Sequence, residues 1–191
     1  MAPQDEGLIA FDPVEGISDD TRRNSCMAGS RQSSAASAAP LDDVRVLVVE
    51  ARFYDGLADE LLAGATAVLE KAGCRVDIVT VPGALEIPSA IVIGLRAADE
   101  AVDPYEAVVA LGTVIRGETG HYDIVAGESS RALMDLSVAF ALPLGNGILT
   151  VENEAQAWAR ANRSEMDKGG GAAEAALSVL RYKRSLAEDS K

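Results

Sequence analysis

Residues 107–133, AVVALGTVIRGETGHYDIVAGESSRAL, decide how this chain is read. The first part, AVVALGTVI (107–115), is the most apolar strand candidate in the sequence. So unbroken a run suits a strand covered on both faces. A short loop, RGETG, and the chain's only histidine, His121, follow it. The stretch YDIVAGESSRALMDLSVAFAL (122–142) then reads as a long helix. Strand, glycine-bearing loop and helix together make half of a parallel βαβ unit.

The same alternation extends in both directions. Upstream, VRVLVV (44–49) is a β-branched strand, and DGLADELLAGATAVLEKAG (55–73) predicts a helix. Leu57, Leu61, Ala65 and Leu69 recur every four residues, acids crowd the first turn, Lys71 lies in the last, and Gly73 can close it. RVDIVTV (75–81) predicts a second strand, followed by PGALEIP (82–88) and a helix through SAIVIGLRAAD. Pro88 falls in that helix's first turn, where proline is tolerated. Downstream, PLGNGILTV (143–151) gives a fourth strand. EAQAWARANR and GGAAEAALSVLRYKRSLA predict two final helices separated by a glycine-rich break. Right-handed crossovers between such strands produce an α/β fold, a parallel sheet with helices on both faces. Ligands bind such sheets at the carboxyl ends of the strands. That rule selects EARFYDG, VPGALEIP, RGETGHYD and the segment after TVEN.

Composition bounds the partners. The 191 residues carry a formal net charge of −13, with 48% apolar and 25% charged residues. An acidic surface argues against nucleic acid or anionic membrane as a general partner. No apolar run approaches the ~20 residues of a spanning helix. Residues 1–42 are small and polar without a burying period, and are expected to be a disordered or loosely ordered extension before a domain at 43–191. The acidic N-terminus lacks the basic-then-apolar pattern of a secretory signal. Cys26 and Cys74 have no CxxC or zinc-like spacing, so reduced thiols in the cytoplasm are expected. One histidine and no clustered thiols give no basis for a metal site.

Each selected loop admits two readings. RGETGH is either a tight turn using Gly117 and Gly120 for geometry, or an anion site built from helix N-terminal amides. His121 is either a solvated helix-start residue or a proton carrier beside whatever those amides hold. Glu86 either answers the dipole of its helix or accepts hydrogen bonds from a polyhydroxyl chain. Phe53 either packs on its own core or stacks on a planar heterocycle. Arg160 and Lys168 are either solvated cations or contacts to a phosphorylated ligand. DKGGGAAEA lacks the GxxxxGK[ST] of a phosphate loop, and GNG lacks the rest of a dinucleotide fingerprint.

ARFYDGLADELLAGA, VPGALEIPSA, ALGTVIRGETGHYDIVAGESSRAL, PLGNGILTVENEAQAWARA and DKGGGAAEAAL occur in the order and spacing of the lumazine synthases, and the chain resembles that family from about residue 44 to 186. PGALEIP and VIRGETGH together carry most of the likeness. The resemblance implies a flavodoxin-like three-layer sandwich around a four-stranded parallel sheet. It also implies a homo-oligomer, either a pentamer or a shell of twelve pentamers, with active sites shared between neighbouring subunits. The implied reaction joins 5-amino-6-ribitylaminouracil to 3,4-dihydroxy-2-butanone 4-phosphate in riboflavin synthesis, with no metal or organic cofactor.

By the same resemblance, Phe53 is similar to the ring-stacking aromatic. Ala84, Leu85 and Glu86 match the segment beside the ring and ribityl chain. Thr113, Val114 and Ile115 match the pocket wall, Glu118 and Thr119 the phosphate-side loop, and His121 the proton shuttle. Arg160 matches a phosphate-binding arginine and Lys168 a contact to the uracil side. Asn146 aligns with an aromatic donated by the adjacent subunit. Three positions depart from the family pattern: Glu118 where alanine is common, Asn146 for that aromatic, and Gly171 where a glutamate is common. A flavin- or nucleotide-binding module of the same fold, a shell protein without turnover, and Schiff-base chemistry through Lys168 are the rival expectations.

Overall fold

A computed structural model describes residues 41–188. Its four strands are β1 (Arg45–Ala51), β2 (Arg75–Val81), β3 (Ala107–Ile115) and β4 (Leu144–Val151), all parallel and ordered β2-β1-β3-β4. The helices are α1 (Asp55–Lys71), α2 (Ile87–Glu100), α3 (His121–Ala139), α4 (Glu154–Ala161) and α5 (Lys168–Glu188), with a 3-10 turn at Ala84–Glu86 before α2. This is the three-layer α/β sandwich expected from the alternation, with the flavodoxin-like strand order lacking its last strand.

Strand alternation splits the core in two. Val46 and Val48 of β1 and Val109 and Leu111 of β3 face α1, α4 and α5, where they meet Leu57, Leu61, Leu69, Ala157, Leu177 and Leu180. Leu47, Val49, Val108 and Ala110 face the other way, onto Ile87 and Ile91 of α2 and Leu133 of α3. β1 and β3 are buried along almost their whole length because both faces are covered. β2 is an edge strand and is largely exposed.

The period in α1 buries all four predicted positions, Leu57, Leu61, Ala65 and Leu69. Gly73 ends that helix at φ +86, and a Cβ there would lie 2.4 Å from Asp42 Oδ1. The expected extension lies outside the described residues except at its end. There Leu41 is buried and its amide donates to Ala72 O at 2.8 Å.

One expectation is corrected. The glycines near 170 do not separate the last two helices: Gly169, Gly170 and Gly171 lie in the first turn of α5, and the break falls at 162–167. Asp167 starts the helix, its Oδ1 accepting from the Gly170 amide at 3.0 Å. Close approach of neighbouring elements demands glycine at Gly169, and at Gly145 of β4, but not at Gly171, where a Cβ would meet nothing within 4 Å. A Cβ on Gly169 would sit 2.1 Å from Leu61 O of α1, and one on Gly145 2.0 Å from Ala172 O of α5.

Candidate active site

The strand order reverses between β1 and β3: the chain steps from β1 outward to β2, then returns to the other side of β1 for β3. At such a switch point the loops leaving the two strands part and open a crevice at their carboxyl ends. A cavity of about 360 Å³ occupies it, within the range of small-ligand sites.

The β1 exit forms one wall. Arg52 turns back on its own strand, donating from Nε to Glu50 Oε1 at 2.8 Å and from Nη1 to Asp59 Oδ1 at 2.8 Å. Those carboxylates raise its pKa, the hydrogen bond to Glu50 most. Phe53 is left to point outward, 72% exposed, with its ring edge-on to Tyr54 at 5.0 Å. Packing on its own core is therefore not what Phe53 does.

The β2 exit forms a second wall. The 3-10 turn buries Ala84 and leaves Leu85 and Glu86 exposed beside the cavity, while Ile87 anchors the turn in the core. Gly83 lets the Glu86 carboxylate fold back: a Cβ there would lie 2.9 Å from Glu86 Oε2.

The β3 exit closes the cavity. Thr113, Val114 and Ile115 line it from the strand, and Thr119 and His121 from the loop and the first residue of α3. The His121 amide donates to Thr119 Oγ1 at 3.4 Å. Arg116 clamps the loop, donating to Glu152 Oε2 at 2.9 Å and to Asp123 Oδ1 at 3.1 Å, with its guanidinium 3.9 Å above the Tyr122 ring. Its pKa is raised, chiefly by the hydrogen bond to Asp123. The chain turns at 118–120, but its glycines are not demanded by a left-handed backbone or by lack of space. Among the described glycines only Gly73 has positive φ, and a Cβ on Gly117 or Gly120 would meet nothing within 4 Å.

Nine sequence-predicted residues thus meet around one cavity, from Phe53 through Glu86 to His121. Glu118, Asn146, Arg160 and Lys168 are not among its lining residues. Glu118 is exposed in the β3–α3 loop. Asn146 projects from β4 and accepts from the Ile148 amide at 3.0 Å. Arg160 donates to Gln156 O at 3.0 Å in the last turn of α4, and Lys168 is the exposed first residue of α5. Tyr54, Tyr122 and Val125 line the cavity without having been singled out. Helical spacing offered a signal for Val125, which lies four residues after His121 on the same face.

Fold and site define a small-ligand enzyme of the α/β sandwich class, with a ring-sized cleft, an acid and an imidazole at the strand ends. The chain belongs to the 6,7-dimethyl-8-ribityllumazine synthase family, whose model matches residues 43–184. A protein of that name from Azorhizobium caulinodans is 66% identical over 158 residues, covering 83% of this chain and 98% of its own. One from Methylorubrum populi is 65% identical over 162 residues, covering 83% and 96%. One from Xanthobacter autotrophicus is 61% identical over 163 residues, covering 84% and 99%.

Proposed function

We propose that the cavity at the β1/β3 switch point is where this chain carries out its family's reaction. That reaction condenses 5-amino-6-(D-ribitylamino)uracil with 3,4-dihydroxy-2-butanone 4-phosphate to 6,7-dimethyl-8-ribityllumazine, phosphate and water. The carrying observation is that three separate strand exits bring Phe53, Glu86 and His121 to one cleft.

Roles follow from chemistry at each wall. Phe53, exposed and free of the core, stacks on the pyrimidine ring. Glu86 accepts from ribityl hydroxyls. The 5-amino group attacks the butanone carbonyl, and the carbinolamine loses water to give an imine. Phosphate then leaves by elimination, and ring closure expels a second water. His121 moves the protons, and the open amides of the Gly117–Gly120 segment and the α3 N-terminus stabilise the leaving anion. Holding two reactants at contact distance supplies much of the remaining acceleration.

The lining residues include no arginine or lysine, and Arg116 is already committed to two carboxylates. A phosphate therefore needs cations from elsewhere. We assign the phosphate contact to Arg160 of a neighbouring copy, which also brings Lys168 to the uracil side and Asn146 to the ring, so that the working unit is a homo-oligomer built from pentamers. Exposed apolar side chains support this: Ile93 on α2 and Ile124, Met134 and Val138 on α3 are all more than half exposed. No described helix is long and apolar enough to cross a membrane. Cys74 carries a free thiol, which supports a cytoplasmic location.

Mixing the two substrates with the purified protein tests the reading directly. Lumazine fluorescence should rise in proportion to protein concentration, and its absence from folded protein would overturn it. Native mass spectrometry tests the assembly, which should give multiples of five protomers and not a monomer.

A further inference from the structure

Glu50 is the one charged side chain among the described residues that is buried, 2% exposed in a strand whose other buried residues are all apolar. An ionised carboxylate in such a place costs free energy unless it is paired, and an apolar residue would serve the strand better. Its Oε1 accepts from Arg52 Nε at 2.8 Å and from Thr80 Oγ1 at 2.9 Å. Its Oε2 has no hydrogen-bond partner among the described residues, so the burial is only half compensated. The pair calls for a role beyond holding the sheet together.

That role lies three residues further along the chain. β1 ends at Ala51 and α1 begins at Asp55, so a connection of three residues carries the Phe53 ring. The ring is exposed, and its own side chain finds little to hold it. Its neighbours are held instead. The Arg52 amide donates to Val81 O at 3.0 Å, at the end of β2. The Arg52 guanidinium reaches Glu50 on β1 and, through Nη1, Asp59 Oδ1 on α1 at 2.8 Å. On the other side, Tyr54 packs partly buried against the core cluster that contains Leu57 and Leu61, and its carbonyl accepts from the Ala58 amide at 2.9 Å.

We propose that Glu50 and Arg52 form a clasp that positions Phe53, which makes them positioning residues for the ring-binding wall of the cavity. The carboxylate anchors the guanidinium to the strand, and the guanidinium ties the β1–α1 connection to α1. A loop residue bracketed in this way loses its backbone freedom on folding and not on binding. Stacking on a planar heterocycle is then not opposed by the cost of ordering the loop. The bond to Val81 adds control of distance. β2 runs from Val81 directly into the turn that carries Glu86, so the ring wall and the acid wall keep a fixed separation. The inference rests on Phe53 facing substrate in the cavity, and it adds the residues that hold it there.

The test is titration of the product, 6,7-dimethyl-8-ribityllumazine, into the full-length protein and its variants, with KM for each substrate measured beside it. Glu50→Leu combined with Arg52→Met replaces both partners of the buried pair by apolar residues of similar size, a change that cores tolerate. It should weaken product binding about three- to tenfold, as far as Phe53→Ala alone and no further. KM for the uracil should rise by the same factor, with KM for the phosphorylated substrate unchanged. Added to Phe53→Ala, the double change should cost nothing more, because the clasp then has no ring to position. Asp59→Ala cuts the clasp at its exposed end and should give the same pattern with a smaller loss, about two- to threefold. That variant decides the matter if the double variant misfolds. Wild-type protein that fails to bind product would overturn the site reading and this inference with it. Wild-type binding would overturn the inference alone if the folded clasp variants bound equally well, if Phe53→Ala did, or if the losses multiplied in the Phe53→Ala background.

Discussion

Gly169→Ala and Gly171→Ala place the same methyl group two residues apart in the first turn of α5, and the structure gives them opposite signs. At Gly171 a Cβ meets nothing within 4 Å. The substitution should then stabilise by about 0.5–1 kcal/mol, because alanine loses less backbone freedom in a helix. At Gly169 the same atom would lie 2.1 Å from Leu61 O and 2.8 Å from Leu61 C and Cα. These are backbone atoms in the middle of α1, so neither helix can yield by turning a side chain. Separating them by an ångström or more disturbs the packing of Leu61, Ala173 and Leu177, all fully buried. Overpacking of this kind costs about 1–3 kcal/mol, and the helix gain offsets at most about 1. The helix gain is common to both variants and cancels, so the two should differ by the overpacking cost, about 1–3 kcal/mol. Urea denaturation at one protomer concentration measures it, with Trp158, the single tryptophan, as reporter from the neighbouring α4. Equal midpoints, or Gly169→Ala the more stable, would refute the claim that close helix approach is what these glycines serve.

Four further outcomes follow from the site and the charge pairs. His121→Ala should lower kcat about ten- to a few hundred-fold while product binding survives, measured by lumazine fluorescence; an unchanged kcat would remove its proton role. Arg160→Ala should chiefly raise KM for the phosphorylated substrate, and an equal rise for the uracil would contradict a phosphate contact. Phe53→Ala should raise KM for the uracil about three- to tenfold with the urea midpoint unchanged, since a ring 72% exposed contributes little to the core. Asp103 accepts from Arg75 at 2.9 Å, which holds its pKa below the ordinary 3.8. A depressed folded pKa contributes stability above about 3.8 that is lost as pH falls through the lower folded value. Asp103→Asn should thus be less stable than wild type near neutrality and converge with it in strong acid, a difference read from denaturation midpoints across that range.

The strands were legible because burial on both faces forces β-branched runs, and β1 and β3 are written that way. The exits of those strands were legible for the same reason, since the carboxyl-end rule needs only strand positions and order. Where the sequence misled, a distant atom was deciding. Three consecutive glycines favour a break by propensity alone. Their actual placement in a helix depends on Asp167 capping the turn and on Leu61 O, more than a hundred residues earlier, leaving no room for a Cβ. Arg116 and Glu152 pair across 36 residues, a contact that no local pattern encodes. Glu50 was legible only as the first residue of the EARFYDG exit, and its burial and its bond to Thr80 on the neighbouring strand depend on tertiary contact. Local preference, in short, locates elements and loops, and tertiary contact assigns which loop residues face one another.

The electrostatic design of the β3–α3 loop follows from the same separation of near and far. A chain with net charge −13 repels anions at long range, so a phosphate can be held only by groups focused on it. The obvious cation, Arg116, is not one of them: its charge is met by Asp123 and Glu152, and its flat face by Tyr122. What Arg116 contributes is stiffness, tying the loop to α3 on one side and to the end of β4 on the other. A loop stiffened in this way presents backbone amides at fixed positions, which need little reorganisation when an anion forms there. It also leaves the site short of positive charge within one chain. Under the assembly proposed above, that shortfall links chemistry to oligomerisation, because the missing cation comes from a second protomer.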